Sequence, residues 1–286
     1  MVSRRSFTLY PRERVYFAII VAVSVIVYAT LIYFFLEPFD GAEPAAKGGY
    51  GALVIYVPIL ALISLLSHAY AIGRLRGNGI RVTDRQLPEV DALVKQHAAL
   101  LGLTKLPAVY VVQAGGVLNA FAIKFFSRPF VVLYSDVVAL AMEEGQGALG
   151  FVVAHELGHI RRGHLRYRWL TIPGRMIPYL GTAYSRACEY TCDRFAAKCE
   201  PADAVAGLLV LAAGRSLYRS IDAAVFAEQV KTEASFWVRR VELASSHPIL
   251  PKRVAALLAA GIPRPVQAPS GEIAPGREGS AVGNAA

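Results

Sequence analysis

Two uncharged apolar stretches limit what this chain can fold into more than any other part of its 286 residues. Val15–Leu36 and Tyr50–Ile72 each have about the 20 residues that a helix needs to cross a hydrocarbon core roughly 30 Å thick. Backbone in lipid has to satisfy its own hydrogen bonds, so such runs are expected as helices. The composition agrees: 55% of residues are hydrophobic and the mean hydropathy is +0.42, too apolar for an ordinary soluble domain. A cleaved signal peptide is the rival reading of the first run. The run is long for that role, and Leu36-Glu37-Pro38-Phe39 offers no small-x-small cleavage site, so a retained helix is expected. Arg4, Arg5, Arg12 and Arg14 precede the pair, and Arg74, Arg76, Arg81 and Arg85 follow it. The loop Glu37–Gly49 carries Glu37, Asp40 and Glu43 against Lys47 alone. This asymmetry predicts a multi-pass anchor in the cell (inner) membrane, with the N-terminus and everything after Ile72 in the cytoplasm. The net charge of +9 is then a matter of membrane orientation, and with no stacking or phosphate motif a nucleic-acid partner is not expected. Three cysteines do not make a disulfide framework and suit a reducing compartment.

The expected organisation is a basic N-terminus over residues 1–14, two membrane helices within 15–72, a folded domain over 73–262 and a disordered Pro/Gly/Ala/Ser-rich tail over 263–286. Pro88–Leu101 has helical apolar spacing and stops at Gly102. Ala108–Val112 and Phe130–Tyr134 read as strands of a small, mostly antiparallel sheet. A short helix is expected near Asp136–Met142 and a longer one over about Gln146–Gly163. Ile172–Tyr184, broken by Pro173, Gly174, Pro178 and Gly181, reads as an amphipathic or membrane-grazing loop. Helices are expected over Tyr184–Cys199, over Asp203–Tyr218 as a core helix too short to span, over Val225–Ala244 and over Pro251–Ala260. In the third of these, Phe226, Val230, Phe236 and Trp237 are expected to point inward.

The chemistry-bearing motif is His155-Glu156-Leu157-Gly158-His159, inside the apolar run Ala148–Ile160. Residues four apart on a helix point the same way, so the two imidazoles can share one metal ion. Glu156 sits at the edge of that face, where a general base for an attacking water belongs. A catalytic zinc usually takes a third protein ligand and leaves one position open. His164, about 900° further round at roughly 100° per residue, would face away from the pair and reads as a surface or supporting residue. Cys188 and Cys192 would suit a closed structural site and leave Glu156 without a task. Glu189 is preferred, with Asp193 one turn later positioned to orient a ligating imidazole.

Four blocks then carry a resemblance: Asn119-Ala120-Phe121-Ala122; Ala154-His155-Glu156-Leu157-Gly158-His159-Ile160; Ser185-Arg186-Ala187-Cys188-Glu189-Tyr190-Thr191-Cys192-Asp193; and Ser246-His247-Pro248 followed by Arg253. In order and spacing, over about Leu87–Leu258, the chain resembles the HtpX-type membrane-bound zinc metallopeptidases, the gluzincin family that also holds the CAAX prenyl endopeptidases. The resemblance implies an α+β, mostly helical architecture in which two N-terminal transmembrane helices precede a zincin-like domain with a small antiparallel sheet and an HExxH helix. It implies that His155, His159 and Glu189 bind Zn2+, that Glu156 activates water and that Asp193 supports the His ligands. Asn119 would lie on an edge strand that receives the substrate backbone, His247 near the open metal position, and Arg253 would tie the last helix to the site through a carboxylate. The chain departs from the family in having Cys192 where Ala is usual, and in lacking the many-helix chamber of the CAAX enzymes. It also lacks a second pair of spans between His159 and Glu189. The expected activity is hydrolysis of peptide bonds in protein substrates, with misfolded membrane proteins as a candidate class. The alternatives are a non-proteolytic, membrane-anchored zinc-binding chaperone or adaptor, against which the retained Glu156 argues, and a structural zinc module built on Cys188 and Cys192.

Overall fold

A computed structural model describes residues 7–36, 44–113, 120–125, 128–144, 147–164, 166–168, 170–214 and 216–265. The chain begins with two long helices, α1 (Pro11–Leu36) and α2 (Pro44–Asn78). Within them Pro11–Tyr33 and Ile55–Asn78 are long and apolar enough to cross a membrane. Val25, Ile26, Leu31 and Ile32 on the first, and Tyr56, Leu60 and Leu66 on the second, are more than half exposed, as lipid-facing side chains would be. Both helices start earlier than the apolar runs alone suggest, because Pro11 and Pro44 each fit the first turn of a helix.

After the short strand β1 (Ile80–Arg81) come α3 (Pro88–Leu100), β2 (Ala108–Val112), β3 (Ala120–Phe125) and β4 (Arg128–Tyr134). The sheet order is β1-β2-β4-β3. β1–β2 and β3–β4 are antiparallel as expected, but the central β2–β4 pairing is parallel, with Ala108 opposite Phe130 and Val112 opposite Tyr134. Two consecutive apolar strands joined through an intervening one need not pair as a hairpin. Here the intervening β3 takes the outer edge and leaves β2 and β4 side by side.

The remaining helices are α4 (Ser135–Glu144), α5 (Gly147–Arg162), α6 (Ile172–Met176), α7 (Leu180–Cys199), α8 (Ala204–Ala213), α9 (Ala223–Thr232), α10 (Phe236–Ala244) and α11 (Leu250–Ala259). α5 is the centre of the domain: every residue from Leu149 to Gly158 is buried, with α3, α4, α7, α8 and the β3–β4 edge around it. A helix apolar all round belongs in such a position. The segment Ile172–Tyr184 is therefore not simply a loop, since it holds α6 and the start of α7. The expected helix over Val225–Ala244 is two helices. Ser235 caps the second by accepting from the Val238 N–H at 3.3 Å, and the break turns α10 outward. Phe236 and Trp237 are accordingly 60% and 74% exposed rather than inward anchors, whereas Phe226 does pack on the core. The tail beyond residue 265, predicted disordered, lies outside the described residues.

The N-terminal segment is built into the domain. Phe7 stacks edge-on against Phe195 with ring centroids 5.0 Å apart, the Leu9 carbonyl accepts from Arg194, and the Tyr10 N–H donates to the Thr191 hydroxyl. Further along α1, Ile20 is fully buried with Tyr184 and Cys188, and Ser24 Oγ accepts from the Gly174 N–H at 3.0 Å. At Gly174 a Cβ would lie 2.3 Å from the Ile20 carbonyl oxygen, so the contact between α6 and α1 requires glycine there. α1 thus runs antiparallel to α7 and meets α6 at its upper contact. Near the end of α2, Ile72 packs against Tyr110 and Phe130 of the sheet.

Candidate metal centre

His155 and His159 project from the buried stretch of α5, and Glu189 meets them from α7. His155 Nε2 and His159 Nε2 are 3.3 Å apart. Glu189 Oε2 is 3.3 Å from the first ring and Glu189 Oε1 is 3.2 Å from the second. Ligands about 2.0–2.1 Å from a tetrahedral zinc are separated from one another by about 3.3 Å. Each imidazole nitrogen therefore lies at about that spacing from the other and from one of the two Glu189 oxygens, and these three residues fit a metal. All three side chains are largely buried, at 8, 17 and 7% exposure.

The buried charges are compensated in a definite order. Arg253, from α11, grips Asp193 with two hydrogen bonds, Nε to Oδ2 at 2.8 Å and Nη2 to Oδ1 at 2.6 Å. Its Nη1 is 3.4 Å from Glu189 Oε2. Asp193 Oδ1 is 3.0 Å from His155 Nδ1. Asp193 thus lies in contact with one of the two imidazoles, and Arg253 joins α11 to it. Burial by itself would push the His155 imidazole down. The Glu189 charge and the hydrogen bonds to Asp193 and Glu189 outweigh it and hold the ring up at about 10. Burial opposes ionisation of Glu189 and Asp193 as well, yet His155 and Arg253 keep both carboxyls below their ordinary values. Without a metal, His155 is a cation held between two carboxylates, and a metal ion would replace its proton.

Asp193 does not reach the second imidazole. His159 Nδ1 lies instead 2.9 Å from His164 Nδ1. His164, read from the sequence as facing away, is buried beside the site because α5 does not continue to it. Gly163, at φ +71°, ends the helix, and the His164 N–H returns to the His159 carbonyl at 3.2 Å while the Gly163 N–H bonds that of Ile160 at 3.1 Å. This Schellman turn folds His164 back over the last turn of α5. Its Nε2 is 3.3 Å from Oε1 of Glu13, a residue of α1 that is 1% exposed and also accepts from Arg162 Nε and Nη2 at 3.0 and 2.7 Å. Burial pushes the His164 ring down to about 4, so it is neutral. Glu13 went unnoticed in the sequence: one acid among four arginines just ahead of an apolar run carries no periodicity that would set it apart.

A cavity of about 220 Å³ opens over these groups, lined by Ala120, Phe121, Glu156, Glu189 and His247 among others. Glu156 is 8% exposed on its wall. His247 reaches over it from the turn before α11, its side chain 65% exposed and its Nε2 3.7 Å from Glu189 Oε1. The edge strand β3 forms part of the rim. Asn119, the expected substrate-binding residue, immediately precedes β3 and lies outside the described residues. The cysteines do not join the three donors above. Cys188 and Cys192 are buried beside His164, with Cys192 Sγ 4.0 Å from His164 Nδ1, and burial pushes the Cys188 thiol up to about 12 and that of Cys192 well above its ordinary value, which disfavours thiolate ligation.

Among solved structures, the crystal structure of S. mikatae Ste24p is similar over 74% of this chain and 64% of that one, at 16% identity and a TM-score of 0.39. This chain therefore spans less than two thirds of that protein's length. No curated protein sequence matches. Residues 84–178 and 174–260 match the family model of Peptidase family M48, the stretch that holds every residue from β3 to Arg253. That match covers more than half of the chain, and the protein belongs to peptidase family M48.

Proposed function

We propose that the protein is a membrane-anchored zinc endopeptidase acting on protein substrates. The observation that carries this is the convergence of His155, His159 and Glu189: the two Nε2 atoms are 3.3 Å apart and each lies 3.2–3.3 Å from one oxygen of the Glu189 carboxylate, so the three residues can hold one metal ion. Family membership supports the same reaction class. A zinc ion held there supplies Lewis acidity, bringing the pKa of water toward about 7 and polarising the carbonyl under attack.

The chain's own residues do the rest. Glu156, on the cavity wall, is the general base: it takes the proton of the attacking water and returns it to the leaving amine, a role worth about 10²–10⁴ in rate. His247, at the mouth, donates to the oxyanion that develops on the former carbonyl oxygen. β3 is the outer strand of the sheet, and a substrate segment laid along it as an added strand, with Asn119 at its start, would bring a peptide bond over Glu156. Arg253 and Asp193 hold His155. Flanking arginines orient α1 and α2 so that the N-terminus and the catalytic domain are cytoplasmic, at the inner membrane. Misfolded membrane proteins suit an enzyme in that position.

The test is made on the full-length protein in detergent or nanodiscs. Glu156→Gln is expected to keep its bound zinc and fold while peptide cleavage falls at least about 10²-fold. Glu189→Ala is expected to lose the zinc. Normal turnover by the first variant would overturn the role of Glu156, and undiminished metal content in the second would overturn the ligand assignment. Membrane proteins that accumulate in cells carrying Glu156→Gln then identify the substrates.

A further inference from the structure

His155 and His159 are treated unequally by the domain that carries them. A metal-ligating imidazole is fixed in tautomer and orientation by the partner of its other ring nitrogen. Asp193 serves His155 in that way at 3.0 Å. No acidic residue of α5 or α7 does the same for His159, and the group that meets its Nδ1 is the ring of His164 at 2.9 Å. Two imidazole nitrogens in contact need one proton between them. With Nε2 of His159 turned to the metal, its Nδ1 carries the proton and donates it, so Nδ1 of His164 must accept. The His164 proton is then on Nε2, and Nε2 faces Glu13 Oε1 at 3.3 Å. The carboxylate at the end of the chain thus dictates the tautomer of both rings.

From this geometry we propose that the first membrane helix supplies a working part of the metal site: Glu13 of α1, acting through His164, is the positioning residue for His159. The inference rests on the reading of His155, His159 and Glu189 as the metal ligands. Three features support it. Glu13 is 1% exposed and the His164 side chain 7%, so water cannot readily take the place of either. Arg162, at the end of the helix that carries His159, bonds the same carboxylate oxygen through Nε and Nη2 and aims it. The Schellman turn at Gly163 fixes where His164 sits. The Glu13 carboxylate, the His164 ring and the Cys188 thiol also lie close enough together to hold a cation. Arg162 bonds Oε1 of that carboxylate through two nitrogens and His164 meets the same oxygen, so the contacts made at Glu13 are those of a hydrogen-bond chain.

The test reads zinc affinity, by competition with a chelator, in full-length protein in nanodiscs. Glu13→Gln and His164→Ala are each expected to weaken zinc about 10–100-fold. The double variant is expected to be no weaker than the worse single one, because both act through one chain. Ser24→Ala removes the bond to Gly174 about 16 Å further along the same helix and is expected to leave zinc affinity unchanged. That comparison separates positioning of His159 from mere docking of α1. If Glu13→Gln does not fold, Glu13→Asp, with its shorter reach, takes its place under the same expectation. Wild-type zinc affinity in a folded Glu13 variant would overturn the proposal. So would a loss in Ser24→Ala equal to that in Glu13→Gln, or additive losses in the double variant. Undiminished zinc in Glu189→Ala would instead overturn the ligand assignment on which the proposal rests.

Discussion

Arg253 is the residue on which most of the buried charge around the site depends. It is 5% exposed and touches both Asp193 and Glu189, and those carboxylates in turn hold His155. Removing one member of a buried, hydrogen-bonded charge pair costs about 3–5 kcal/mol, because the partner is left uncompensated. Arg253→Ala is therefore expected to lower stability by about that amount in denaturant unfolding of the metal-free protein, a far larger effect than loss of a surface arginine. From the sequence, a tie between Arg253 and a carboxylate was expected only through the family resemblance, since nothing in its own spacing sets it apart from a surface arginine. His155 with His159, and Glu189 with Asp193, were legible in part from spacing: each pair is one helical turn apart, so helix geometry puts its members on one face, while the meeting of the two faces was expected from the HExxH context and the family resemblance. Glu13 and His164 were not. Their contact spans 151 residues, and its formation depends on a helix stopping, which a projection of α5 past Gly163 ignores.

At the scale of elements, that stop becomes a prediction. Gly163 has φ +71°. A residue with a Cβ in the left-handed region costs about 1–2 kcal/mol, and a chain that avoids the strain by continuing the helix would carry His164 away from His159. Gly163→Ala is expected to lower stability by about that amount in thermal or denaturant unfolding and to weaken zinc in the same chelator competition, although residue 163 touches no ligand. The failures of sequence reading for other elements have the same origin. α9 and α10 look like one amphipathic helix until Ser235 is recognised as a cap, and the phase of Phe236 and Trp237 changes with the break. The parallel β2–β4 pairing was hidden because each strand alone satisfies the same apolar pattern in either direction. By contrast, α1, α2 and α5 were readable from their length and apolarity alone.

For the molecule as a whole, the site sets the pH response of the metal-free state. His155 is held up at about 10, against 6.5 for the unfolded ring, so its contribution is full below pH 6.5 and is lost as pH rises through 10. His164 is held down at about 4, so its contribution is full above pH 6.5 and is lost as pH falls through 4. The metal-free protein is therefore expected to be most stable near pH 6.5. Thermal unfolding with a chelator present, measured from pH 4 to 10, checks this. A metal ion held by His155 would replace its proton, so saturating zinc is expected to flatten the alkaline limb.

The docking of Phe7 to Ser24 onto the domain also fixes a height. Glu13 belongs to the site, and Val15, the first residue of the apolar run, is two positions away, a rise of about 3 Å. With α1 in a bilayer, no linker separates the catalytic cavity from the lipid, and the domain cannot swing out to collect a distant target. Under the proposed function, access would then be governed by the substrate: a segment would be cut when it could descend to the headgroups and lie along β3. An enzyme fastened in this way would select by proximity to the membrane surface before it selected by sequence.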